Sequence, residues 1–373
     1  MNILIAPDSF KGSLSALRAA EIITDVILRM DPAARCLSLP QADGGEGTID
    51  AVYRGHGGRL HLHVVPDPLG RPIQARWLQL PDGSALVESA ACIGLPLLRE
   101  DERNPDLLRS DGLGVLLRHL HERGYMNVYC ALGGTATNDA GLGLAEGLGA
   151  RIRFRHGAAR RTVRESLRAV EQIDHTDCEE CNTVALADVR NPLCGSHGAT
   201  ATYGPQKGIP EYEIASWDEA ISHFASLAAR DVHDVDVTAP GMGAAGGLGF
   251  ALACFTAAEL RSGAGFVREH SGFESALPHA DLVITGEGRI DTQSRQGKVL
   301  SGIVEAADGK GVPVVAFTGS VEPGVEEVLR RDGVTGLFPI TPEGMSLADA
   351  IRRVEPLLEQ AVRRAWPLIT KTC

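Results

Sequence analysis

The sequence predicts an α/β protein of two unlike α/β domains: a doubly wound parallel sheet built from both chain ends, and a mixed-sheet domain inserted between them. Three observations predict this. At both ends of the chain, short apolar runs lead into Gly/Asp loops and then amphipathic stretches, which is the β–loop–α rhythm of a parallel sheet. In residues 59–91 the texture changes to apolar/polar alternation punctuated by Pro66-Asp67-Pro68, Leu69-Gly70 and Pro81-Asp82-Gly83, the signals of antiparallel hairpins. Residues 281–298, DLVITGEGRIDTQSRQGK, turn from a buried-strand run through Thr285-Gly286-Glu287-Gly288 into Arg289, Asp291 and Lys298. That is how a parallel sheet places chemistry at its carboxyl edge.

The elements follow in order. Ile3-Leu4-Ile5-Ala6 reads as a buried strand and Pro7-Asp8-Ser9-Phe10-Lys11-Gly12 as a turn. A helix starts at Ser13 or Ser15, either of which can cap it, with Leu17, Ala20, Ile23, Ile27 and Met30 on its core face. A strand at 36–39, the loop Asp43-Gly44-Gly45-Glu46-Gly47-Thr48 and a helix at 48–54 repeat the pattern. Past the hairpins come a helix at 113–123, a strand at 127–132 and a glycine-rich loop at 133–141. Residues 155–182 are charged and without period, so surface is expected there. A strand at 183–187 delivers Asp188 and Asn191-Pro192; helices are expected at 211–230 and 248–260. The C-terminal part reads as helix 299–307, strand 313–317, helix 325–331, strand 337–340 and a last helix at 347–364. Five strands from the two chain ends then form the first domain, residues 1–64 and 277–373, and residues 65–276 form the inserted one.

Composition bounds the function. The chain has 373 residues, 44% hydrophobic and 23% charged, enough for two packed cores. No apolar run is long enough to span a membrane. The chain enters a strand directly, with neither a basic region nor a cleavage site, so the expected location is cytoplasmic. A net charge of -12 argues against non-specific nucleic-acid binding but not against a phosphate-bearing small molecule, which needs only local amides and one or two cations. Of eight cysteines only Cys178-x-x-Cys181 has a suggestive spacing. It lacks a second ligand pair, so free thiols are expected.

Asp8 with Lys11, Asp43 with Glu46, Asn138 with Asp139, Asp188, and Glu287 with Asp291 all fall where a predicted strand or glycine turn ends. One such acid is an ordinary cap or turn residue. Five clusters with two lysines suit a metal–polyphosphate site, since phosphoryl transfer needs amides and a cation around the phosphates and carboxylates for magnesium and the attacking hydroxyl. Gly297-Lys298 is not half of a Walker motif, because Thr292 and Val299 stand where that pattern needs Gly and Ser/Thr. Gly241-x-Gly243-x-x-Gly246 matches the dinucleotide fingerprint as a string. The acid-rich segment before it is a poor buried strand, and tight helix packing or backbone approach to a phosphate explains the glycines as well. No Gly-x-Ser-x-Gly elbow is present.

At these residues the chain resembles the bacterial glycerate kinase family, type I. The matching stretches are APDSFKGSLSA (6–16), ADGGEGT (42–48), GGTATNDAGLG (133–143), DVRNPLCG with YGPQKG (188–208), GAAGGLG (243–249) and residues 281–298. Arg109-Ser110-Asp111-Gly112-Leu113-Gly114 departs from the family's usual Thr-Thr/Ser-Tyr-Gly-Thr-Gly run, keeping one hydroxyl, and Gln41 stands where Met is common. The resemblance implies two α/β domains, one Rossmann-like, with the active site in the cleft between them. It also implies ATP- and Mg2+-dependent phosphorylation of D-glycerate, most often to 2-phosphoglycerate. The alternatives are the 3-phosphate, a dinucleotide-dependent hydroxy-acid oxidoreductase, or a sugar-acid-binding protein without turnover. Neither nucleic acid nor membrane is an expected partner; a homodimer is compatible with the sequence.

Roles are then assigned by chemistry. Asp188, with Asp291 second, orients the attacking hydroxyl. Lys298 and Lys11 neutralise phosphate oxygens, and Arg289 grips the substrate carboxylate in bidentate fashion, with Asn138 and Ser9 beside it. Gly44, Gly45, Gly133, Gly134, Thr135, Gly243, Gly246, Gly247 and Lys207 face nucleotide or phosphates, and Asp8, Asp43 and Glu287 are the magnesium candidates.

Overall fold

The computed structural model describes residues 1–155, 162–176, 182–290, 299–322 and 324–372, with the backbone alone at 371 and 372. Its strands are β1 (Asn2–Ile5), β2 (Arg35–Ser38), β3 (Arg59–Pro66), β4 (Pro72–Gln79), β5 (Ala85–Glu88), β6 (Asn127–Ala131), β7 (Arg151–Phe154), β8 (Val170–Asp174), β9 (Asn182–Leu186), β10 (Glu259–Arg261), β11 (Leu282–Ile290), β12 (Val314–Val321) and β13 (Val334–Pro339). The chain divides into two compact units.

The first unit comprises Met1–Asp43, Asp50–Gly57 and Ser262–Cys373. Its sheet has the order β13-β12-β11-β1-β2, and every pairing is parallel. Side chains alternate across a strand, so each apolar run feeds two cores. Ile3, Ile5, Leu282, Ile284, Val315 and Phe317 face the helices Ala16–Met30 and Val354–Thr372. Leu4, Val283, Val314 and Ala316 face the helix Val299–Asp308 through Leu300 and Ile303. Each fully buried Ile or Leu contributes roughly 1.5–3 kcal/mol. Residues 262–276 pack here too, with Ala264 and Phe273 in the core beside Leu4. Of the two candidate caps for the first helix it is the Ser15 side chain that accepts from Arg18 N–H. Met30, expected on that helix's core face, is 37% exposed as the last residue of the helix. The expected single terminal helix is two, Leu347–Arg352 and Val354–Thr372.

The second unit comprises Gly44–Ile49 and Gly58–Arg261. Its sheet runs β10-β9-β6-β5-β4-β3, antiparallel at β3–β4 and β4–β5 and parallel from β5 to β10. Asp67 builds the β3–β4 turn: its carboxylate accepts from Leu69 N–H, Arg71 N–H and the Arg71 guanidinium. Helices Asp111–Glu122, Ile214–Asp231 and Ala244–Thr256 cover one core around Leu116, Phe224 and Phe250.

Two expectations need correction here. The helix expected to reach residue 260 stops at Thr256, where Ala257 turns left-handed (φ 51°) and the chain becomes β10, parallel to β9. The stretch read as featureless surface contains the helix Val163–Ala169 and β8, and buries Val163, Leu167, Val170 and Ile173 under a skin of Arg and Glu. Cys178 and Cys181 lie outside the described residues.

Candidate functional site

In the first unit, three strand ends deliver three carboxylates. Backbone bonds carry the parallel pairing past β1: Ala6 N–H donates to Ile284 O and Asp8 N–H to Gly286 O, both at 2.8 Å. Beyond β2, Leu39 N–H reaches Ile5 O and Gln41 N–H reaches Pro7 O. Asp8 thus stands past β1, Asp43 past β2, and Glu287 on β11 itself. Lys11 Nζ donates to Asp43 Oδ2 at 2.5 Å. Burial, then the charge of Asp43, pushes the Asp8 carboxyl well above the usual carboxylate range, against the opposing pull of Lys11. Lys11 loses some hydration at its tip, but Asp43, Asp8 and Glu287 together hold its ammonium above the usual range. Gly288 passes so near the next loop that a Cβ would stand 3.1 Å from Phe10 Cα. Ser9 is half-buried and donates its N–H to Asp8 Oδ1 at 2.6 Å. Arg289 is exposed on β11, in register with Ser320. Asp291 and Lys298 lie outside the described residues. Gln41, where the family has Met, is a buried anchor whose amide donates to Leu39 O and Ser271 Oγ.

In the second unit the glycine loops meet at the ends of β5 and β6. Ser89, following β5, bonds Gly133 through both N–H and C=O at 3.3 Å. A Cβ on Gly133 would stand 2.7 Å from Gly45 Cα, so the loops at 44–47 and 133–134 touch backbone to backbone. Glu88 Oε1 accepts from Ile49 N–H at 2.7 Å and so caps the start of the helix Thr48–His56. Farther along, Thr135 Oγ1 donates to Ala245 O, Lys207 Nζ donates to Thr137 O, and Asn138 Nδ2 donates to Thr200 Oγ1. Ala245, Gly246 and Gly247 are left-handed in succession, and Gly246 packs on Thr137 O. Gly243 packs on Pro192 O. Asp188 stands two residues beyond β9, half-buried.

Three residues were given no role from the sequence. Glu88 is a buried carboxylate that ends β5. Thr137 and Ser110 are fully buried hydroxyls. Ser110, the hydroxyl kept in the departing run, donates to Asp139 Oδ2 and accepts from Leu144 N–H. Asp139 Oδ2 also takes Ser110 N–H and Gly143 N–H, and Oδ1 takes Gly141 N–H. This carboxylate organises its loop.

Gly241-x-Gly243-x-x-Gly246 does not follow a strand: residues 233–236 are irregular and 237–238 are in a turn. Among the described residues no group of three or more His, Cys, Asp or Glu side chains is arranged to hold a metal ion by itself. Among them, too, no helix is long and apolar enough to cross a membrane.

In the first unit a parallel sheet edge bears carboxylates and a lysine, the groups that hold a cation and phosphate oxygens; in the second, taken by itself, glycine loops bring backbone amides together, which also suits phosphate oxygens. The sequence model described as "Glycerate kinase family" matches residues 3–370. The chain belongs to the glycerate kinase family. It is 39% identical to a glycerate kinase of Bacillus subtilis (strain 168), over 97% of this chain and 96% of that one. It is 38% identical to the glycerate 2-kinase of Escherichia coli (strain K12), over 94% and 93% of the two chains. A crystal structure described as that of a glycerate kinase 2 from Salmonella typhimurium LT2 superposes with a TM-score of 0.79 at 37% identity, covering 100% of this chain and 99% of that one. The α/β fold seen here, with one parallel and one mixed sheet, is therefore shared with that structure.

Proposed function

We propose that this chain transfers the γ-phosphoryl group of ATP to the 2-hydroxyl of D-glycerate, giving 2-phosphoglycerate. The observation that carries the reading is the convergence of Asp8, Lys11 and Asp43 at one sheet edge, in a chain that matches the family over residues 3–370. Its relative from E. coli, named a glycerate 2-kinase, supports the choice of hydroxyl.

The roles follow from charge and position. Lys11 offsets negative charge on phosphate oxygens. Gly44, Gly45, Gly133 and Gly134 offer amides without side chains in the way. Arg289, exposed and forked, suits the substrate carboxylate. Asp188 orients the attacking hydroxyl and takes its proton; Asp291 and Lys298 keep their expected parts as second base and phosphate cation. Mg2+ suits Asp8 and Asp43, with Glu287 on the neighbouring strand: Mg2+ takes one or two protein carboxylates and fills its shell from phosphates and water, so the lack of a larger cluster among the described residues is no obstacle. When bound, it neutralises charge on the phosphoryl oxygens.

The test is phosphorus NMR of the product from ATP, Mg2+ and D-glycerate. A phosphate on C2 couples to one proton and appears as a doublet; a phosphate on C3 couples to two and appears as a triplet. A doublet is expected; a triplet moves the reading to the 3-phosphate, and no new ester removes it. Asp188→Asn keeps size and is expected to lower turnover at least about a hundredfold with the fold retained by circular dichroism. Near-normal turnover would take the role from Asp188.

A further inference from the structure

Lys207 closes the short 3-10 turn Pro205–Lys207 and is only 3% exposed. Its Nζ donates to Thr137 O at 2.6 Å and to Thr135 Oγ1 at 3.2 Å, both uncharged. The carboxylate that acts on it, Asp139, already takes four other donors, from Ser110, Gly141 and Gly143. The residue whose carbonyl takes the amine, and the one after it, carry polar atoms with nothing to bind: Thr137 Oγ1 and Asn138 Oδ1, both in fully buried residues, have no hydrogen-bond partner among the described residues. The left-handed run at 245–247 seals the other side so closely that a Cβ on Gly246 would stand 2.9 Å from Nζ and 3.1 Å from Asn138 Cα.

Among the described residues no carboxylate hydrogen-bonds this amine; a buried ammonium held only by neutral acceptors is costly, and the group sheds its proton instead. Burial lowers Lys207 to about 7, and only Asp139 pulls the other way. The residue type agrees. The chain has 36 Lys and Arg together, of which only Lys11, Lys207, Lys298, Lys310 and Lys371 are lysines. Arginine cannot give up its proton in a protein; lysine can.

We propose that Lys207 is a proton-coupled anion receptor: its amine takes up a proton as a carboxylate or phosphoryl oxygen of the substrate reaches it, with Thr137 Oγ1 donating to that anion and Asn138 Oδ1 accepting from a hydroxyl of the same ligand. The step moves one proton from solvent to Nζ, and binding and protonation become one event. This rests on the kinase reading, which supplies both anions.

The sign is fixed by linkage. A site whose pKa rises on binding takes up protons, and its affinity falls as pH climbs above the free value. Calorimetry of the full chain at pH 8, in two buffers of different ionisation enthalpy, tests it with D-glycerate alone and with MgATP alone, so that no turnover occurs. One of the two is expected to bind with uptake of about 0.9 proton, and its Kd to rise about tenfold from pH 8 to pH 9. Which ligand does so names the anion. Lys207→Met is expected to bind that ligand without uptake, and Lys207→Arg likewise. If neither variant folds, the wild-type pH dependence decides. The inference falls if the wild type binds both ligands with no uptake, or if uptake persists in Lys207→Met. A chain that phosphorylates glycerate yet shows no uptake overturns this inference alone; a chain that makes no phosphoglycerate overturns the kinase reading instead.

Discussion

Ser110 shows how much one hydroxyl can hold. It donates to Asp139 and accepts from Leu144 N–H, both bonds buried in the protein interior. Ser110→Ala leaves the Leu144 N–H without its acceptor and removes one of three donors from Asp139 Oδ2. The expected loss is about 1–3 kcal/mol, read as a lower urea midpoint at unchanged m-value; an unmoved midpoint would mean the loop has another support. Asp139 was legible as a chemically interesting acid because it ends a motif next to Asn138. Its structural duty was not, since sequence spacing does not reveal which donors a carboxylate meets. The same holds for Lys207: YGPQKG announces a loop lysine, ordinarily exposed, and only the fold reveals that it is buried with its amine on the neutral acceptors Thr137 O and Thr135 Oγ1.

At the scale of elements, glycines separate into those the backbone merely prefers and those a neighbour enforces. Gly246 has φ +76°, and a Cβ there would lie 2.2 Å from Thr137 O. Gly83, in the β4–β5 turn, has φ +87° with nothing within 4 Å. Gly83→Ala is expected to cost about 1 kcal/mol, the price of a left-handed alanine. Gly246→Ala must also displace backbone, and is expected to cost about 3 kcal/mol or more with loss of turnover. Urea unfolding and a coupled assay on the two variants separate the effects; equal losses would mean that the steric argument fails. The five strands of the parallel sheet were legible because unbroken apolar runs between glycine loops have few other readings. The helix Val163–Ala169 and β8 were missed because Val163, Leu167, Val170 and Ile173 are single apolar residues among charges. Their three-to-four spacing changes meaning where helix gives way to strand, so no one period fits.

At the scale of the molecule, each unit has its own core, and the chain passes between them at residues 43–44, 49–50, 57–58 and 261–262. Trp77 and Trp217 are buried in the core of the second unit and Trp366 in that of the first. Separate cores need not melt together. Fluorescence of a Trp366→Phe variant, reporting the second unit, and of a Trp77→Phe/Trp217→Phe variant, reporting the first, are expected to give different urea midpoints. Coincident midpoints, matched by circular dichroism, would mean the two cores unfold as one. The doubly wound sheet could be assembled from both chain ends on paper because its strands share one texture. The short return of Gly44–Ile49 into the second unit could not, because six residues of glycine loop and helix start carry no signal of which core they serve.

The meeting of Gly45 and Gly133 has a consequence for heredity. A damaging change in a tight spot is usually rescued by a second change that makes the opposing residue smaller. Here both partners have already given up every atom they can, so a methyl gained at position 133 cannot be answered at position 45. Any suppressor of such an allele has to come from residues that let a whole loop shift, and genetic reversion at this pair should run almost entirely through restoration of glycine.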